Sequence, residues 1–145
     1  MMAEARQEQT AVEDVFGPPI STYTRAQAIE DGVLVDVSDT AREAGIKCHT
    51  ALTRAAWAEW VEVPPNKTNE GQSIRGRLWD VVWMARMCAV PTLIKKAAAT
   101  GEPAECLYKF AYVSAKGRRV AVAKAHLGYG DNGESVLTIM QRDED

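Results

Sequence analysis

Apolar residues in this chain recur at helical spacing through its first two thirds and at alternate positions through its last third. The stretch YTRAQAIEDGVLVDVSDTAREAG, residues 23–45, is the most densely signalled. Thr24 is a good N-cap, Gln27 stands three residues on as a capping box requires, and Gly32 is placed to stop a short helix. VLVDVS then sets Val33, Val35 and Val37 against Leu34, Asp36 and Ser38, the alternation of a half-buried strand. Thr40 with Glu43 repeats the capping-box spacing and predicts a short helix ended by Gly45.

From Thr50, ALTRAAWAEWVEV predicts a third helix. Leu52, Ala55, Ala56, Trp60 and Val63 recur at three- and four-residue steps, with Arg54 and Glu62 facing water. PPNKTNEGQS breaks every periodicity and reads as a loop. RGRLWDVVWMARMCAV resumes helical spacing: Leu78, Val81, Val82, Ala85 and Ala89 form one stripe, and Trp79 and Trp83 an adjoining one. This is the expected central core helix, ended or kinked by Pro91. TLIKKAAAT follows as a short helix closed by Gly101.

The last third changes period. ECLYKFAYVS alternates Tyr108, Phe110 and Tyr112 against Leu107, Ala111 and Val113. A turn at AKGR leads to RVAVAKAHLG, and a turn at YGDNG leads to SVLTIMQ. Short turns between three strands imply an antiparallel meander. The expected class is therefore α+β, three or four helices packed on one face of a small antiparallel sheet, with the early strand VLVDVS at an edge.

Composition bounds this picture without changing it. A chain of 145 residues fits one domain, here 20–145, preceded by an acidic lead over 1–19 that closes on Gly17-Pro18-Pro19. No apolar run approaches the ~20 residues of a membrane span. The N-terminal MMAEARQEQTAVED has no apolar core of a secretory signal, so the expected location is the cytoplasm. Cys48, Cys88 and Cys106 are widely spaced with no CxxC, which suggests neither a disulfide framework nor a zinc site. The net charge of −3 is uneven. Residues 1–14 and 141–145 are acidic and the body between them is mildly basic, a weaker asymmetry than a DNA mimic needs.

Candidate chemistry is sparse. His49 and His126 are the only imidazoles, and adjacent Cys48 and His49 point in different directions, so no Cys or Ser nucleophile has an evident base. Asp36, Asp39 and Asp80 read as caps or solvent-facing acids rather than metal ligands, and no cofactor is expected. GYGDNG has the spacing GxGxxG, but it lies between two strands, where Asp-Asn-Gly is turn chemistry. Nucleic-acid binding is a more serious reading. Lys109, Lys116, Arg118, Arg119 and Lys124 cluster on the first hairpin, where Tyr108, Phe110 and Tyr112 share a face that reads first as core. Trp57, Trp60, Trp79 and Trp83 are expected mostly in the core, with any exposed one an anchor for a protein partner.

The TRAQAIEDGVLVDV block, ALTRAAW, GRLWDVVWMAR and the strand LTIM running into an acidic end together resemble a family of small proteins. That family is encoded on plasmids, integrative elements and phages. The likeness covers most of the chain from Ser21 onward and lends no residue a catalytic role. It implies a setting: a non-enzymatic protein that binds and inhibits a host defence complex, as an anti-CRISPR or antirestriction inhibitor. Glu30, Asp31, Asp36, Asp39, Asp143, Glu144 and Asp145 would then engage a basic surface of that complex. The alternative is a nucleic-acid-binding accessory of the mobile element, using the 109–124 hairpin. A third reading is an enzyme with an unfamiliar site around Asp36, Asp39 or His126.

Overall fold

The computed structural model describes residues 23–67 and 71–145. The expected acidic lead, 1–19, lies outside them. The elements in order are α1 (Arg25–Glu30), β1 (Leu34–Asp36), α2 (Ser38–Glu43), β2 (His49–Thr53) and α3 (Arg54–Ala56). Then come α4 (Ile74–Met84), α5 (Val90–Thr100), β3 (Ala104–Ser114), β4 (Gly117–Tyr129) and β5 (Ser135–Gln141). Helices with a five-stranded sheet make the class α+β, as the sequence predicts.

The sheet runs β1-β2-β5-β4-β3. β3, β4 and β5 form the expected antiparallel meander. The sheet is mixed, however, because β2 enters between β1 and β5 and runs parallel to β5. The predicted helix over ALTRAAWAEWVEV is thus corrected: its first residues complete the strand His49–Thr53, and only then does the chain coil. Leu52 meets the helical spacing but pairs with Val35 and Ile139, and all three turn to the core. Thr53 ends the strand and N-caps α3, its hydroxyl accepting from the Ala56 amide at 3.2 Å. The coil closes in a π-helical turn, Trp57–Val61, and Pro64 and Pro65 forbid continuation.

Local signals elsewhere behave as the chemistry demands. Thr24 and Gln27 form the capping box. Gly32 and Gly101 end their helices with left-handed φ of 78° and 70°, which a side chain would resist. The second expected capping box is not formed. α2 starts three residues early, after Val37, with no side-chain cap. The stripe Leu78, Val81, Val82, Ala85 and Ala89, along α4 and the turn after it, is buried in full. Pro91 does not end that helix but shifts its register. Lacking an N–H, it removes one bond of the ladder, and the turn before it, Ala85–Ala89, widens to π geometry.

The helices from α2 to α5 pack over one sheet face, against Tyr108, Phe110, Ala121, Ala123, Leu137 and Ile139. Contrary to the expectation of a single helical face, α1 lies against the other face, where Arg25 reaches Thr138.

Candidate functional site

α1 is a six-residue helix, too short to be stable alone, and long-range bonds hold it in place. Its first amides would be orphans. Asp131, from the β4–β5 turn, accepts from Arg25 N at 2.8 Å and Ala26 N at 3.0 Å, and Thr24 accepts from Gln27 N. Those amides hold the Asp131 carboxyl below its ordinary pKa. Arg25 then donates from Nη1 to Thr138 Oγ1 at 2.7 Å and from Nη2 to the Leu137 carbonyl at 2.9 Å. Burial lowers its pKa, against the pull of Asp36, Cys48, Asp131 and Glu134.

Beside α1, Ser38 sits between Asp36 and His49. Its hydroxyl donates to Asp36 Oδ1 at 2.6 Å, lies 3.4 Å from His49 Nδ1, and accepts from the Thr50 amide at 3.0 Å. Burial opposes the Asp36 charge, but Ser38, then His49 and Arg25, outweigh it and hold the carboxyl below its usual range. With its proton on Asp36 and a lone pair on Thr50, Ser38 clamps the β1–α2 turn to β2. Asp39 pairs with Arg42 at 3.1 Å, and the row Asp36–Ala51–Thr138–His126 leaves two strands between His126 of β4 and Asp36 of β1, so no described hydrogen bond or ion pair joins the three residues of the enzyme reading.

The acids named from the sequence fall into two sets. Asp31 accepts from Tyr23 Oη at 2.7 Å. Glu144 accepts from Thr53 Oγ1 and Gln141 N, both at 2.7 Å, and its backbone oxygen takes Lys124 Nζ. With Asp36 and Asp39 these acids have partners within the chain. Glu30, Asp143 and Asp145 are exposed with no hydrogen bond to a described residue. Around α1 the exposed apolar side chains are Tyr23, Ile29 and Val33, at 55%, 36% and 52%. Glu30 and Asp31 adjoin them in sequence, and Asp131 and Glu134 stand with Ile29 in the cleft beside Asp36 and His49.

On the hairpin, Tyr108 and Phe110 are buried, and Tyr112 donates to Glu59 at 2.6 Å. Burial first, and then Glu59, push the Tyr112 phenol up to about 12. The aromatic row is core, so it is not a stacking platform. The cations divide. Lys109, Arg118 and Lys124 share the face with exposed Leu107 and Val120, while Arg119 sits opposite Tyr112 on the other, and Lys116 is at the turn.

One residue escaped the sequence reading. Arg77 is 5% exposed and in no ion pair among the described residues. It donates from Nε to Val61 O at 3.2 Å, and from Nη1 to Gln72 at 2.9 Å and Val113 O at 2.8 Å. Its Nη2 is buried without a partner. The signal was its place on the 77–81–85 line of the apolar stripe, where an arginine has to be buried. Of the tryptophans, Trp60 is buried and Trp83 is 41% exposed, stacked on Trp79 with ring centroids 5.6 Å apart.

No described helix is long and apolar enough to cross a membrane, and no group of three metal-ligating side chains occurs among the described residues. No family model, curated protein or solved structure matches the chain.

Proposed function

We propose that this chain is a non-enzymatic binding protein that docks through its α1 corner on a basic macromolecular surface. Its likeness to mobile-element proteins supports a host defence complex, CRISPR or restriction, as the partner, and inhibition as the outcome. The observation that carries the reading is the exposed trio Tyr23, Ile29 and Val33 with the acids Glu30 and Asp31 beside it. Exposed apolar groups rimmed by charge are the pattern of a docking centre, where apolar anchors supply affinity and rim charges set orientation.

The purified protein is expected to co-elute with the effector complex and lower its DNA binding, and Ile29→Lys to abolish both while the protein stays folded. Co-expression in a strain with active CRISPR or restriction immunity that gives no rise in plasmid or phage entry would sink the reading. A second reading, a nucleic-acid accessory, is favoured by Lys109 and Arg118 on one exposed face. It requires salt-dependent binding to DNA or RNA that weakens in the triple variant Lys116→Ala, Arg118→Ala, Arg119→Ala.

A further inference from the structure

The outer strand of the sheet, β3, has one side with no neighbouring strand. Its two-residue turn makes Ser114 and Gly117 the closing pair, so Ser114 and the even-numbered residues before it bond to β4. The odd-numbered residues turn outward. Two side-chain bonds agree with this parity: Lys96 Nζ donates to Glu105 O at 3.0 Å, and Arg77 Nη1 to Val113 O at 2.8 Å. Between these capped ends, Leu107, Lys109 and Ala111 present N–H and C=O groups that no described residue bonds, and all three are exposed. That run spans about 13 Å at the rise of a strand.

At the Val113 end lies a cleft of about 330 Å³, bounded by Arg77, Arg118, Tyr112, Gln72 and Asp80. A buried guanidinium with no carboxylate and an unbonded Nη2 is a desolvated charge in want of an anion. Four cations border the edge, Lys96, Lys109, Arg77 and Arg118, against three acids, Glu59, Glu105 and Asp80. The balance favours an acidic ligand.

We propose that the outer edge of β3 binds an extended acidic peptide as a sixth strand, with one of its carboxylates entering the cleft at Arg77 and Arg118. The free groups are alternating backbone donors and acceptors, which match another strand. Acids on alternate residues face Arg77, and the residues between them lie along Leu107, Lys109 and Ala111 on the opposite face. Nucleic acid fits less well, because the rings that would stack bases are in the core. This site is separate from the α1 corner, so its failure leaves the docking reading untouched, and the reverse holds.

The test is a titration of the full ¹⁵N-labelled chain with a seven-residue peptide alternating glutamate and valine. Amides of Leu107, Lys109 and Ala111 should shift and gain exchange protection. The same peptide N-methylated at alternate residues, or with lysine for glutamate, should bind at least tenfold more weakly. Ala111→Pro removes an outward N–H that the fold does not use, and should cost at least tenfold in affinity with the spectrum otherwise unchanged. Arg118→Glu should weaken binding several-fold. If Ala111→Pro fails to fold, the N-methylated peptide still decides. Three outcomes overturn the proposal: no shift at those three amides at millimolar peptide, equal binding of the N-methylated peptide, or displacement of the peptide by a single-stranded oligonucleotide whose own binding ignores Ala111→Pro.

Discussion

At the α1 corner Arg25, Asp36 and Asp131 are bonded into the fold, whereas on the hairpin Lys109 and Arg118 are not. Arg25 joins α1 to β5 across 113 positions of sequence, Asp131 caps α1 from the β4–β5 turn, and Asp36 is held by Ser38. Lys109 and Arg118 are exposed and bond to no described residue. The difference separates two kinds of experiment. Removing a charge at the corner perturbs folding and docking together, so the corner is best probed through its apolar trio. Removing the charge of Lys109 or Arg118 perturbs only what binds there.

The largest effect expected from this contrast is that of Arg25→Ala. It deletes two hydrogen bonds from a charged donor, leaves the buried Thr138 hydroxyl short of a partner, and frees a helix that cannot persist alone. The expected loss is about 2–3 kcal/mol in urea unfolding. Arg25→Lys should recover only part of it, since one ammonium cannot span the two acceptors of a planar fork. Unfolding at the wild-type midpoint would break the comparison.

That bond also marks where sequence reading stops. The capping box at Thr24, the α4 stripe and the meander were legible because each is set by residues a few positions apart. β2 was not. Leu52, Ala55 and Ala56 fit a helical face by spacing, and what overrides it at Leu52 is pairing with β1 and with β5, 87 residues later. Arg25–Thr138 and Asp131–α1 leave no local trace for the same reason. The site was legible in part. The acids are visible in the sequence as charged residues, but the roles of Asp36, Asp131 and Glu144 as clamps depend on partners brought in by the fold. Arg77 was readable in principle, as the one cation on a buried line.

A smaller effect is expected from acid. The Asp36 carboxyl titrates below its ordinary value in the folded chain. Its contribution is therefore present above the unfolded pKa, about 3.9, and is lost as pH falls through the lower folded value. Asp36→Asn keeps an acceptor for Ser38 but no charge. The variant should be less stable at neutral pH, by under about 1 kcal/mol because the group is exposed and screened. The gap should close below about pH 4 in parallel unfolding curves. A constant gap would mean that shape, not charge, makes the clamp.

The smallest effect on stability belongs to the double variant Lys109→Ala, Arg118→Ala. Neither side chain has a described partner, so unfolding free energy should move by less than about 0.5 kcal/mol. Arg119 provides the internal contrast: it stands opposite Tyr112, where its charge opposes the upward shift of the phenol. Arg119→Ala should therefore raise the Tyr112 titration seen by ultraviolet absorbance, and the Lys109–Arg118 pair should leave it in place. If the pair moved that titration as much as Arg119 does, the two faces of the hairpin would be electrostatically one surface. Its cations could then no longer be assigned separately to fold and to ligand.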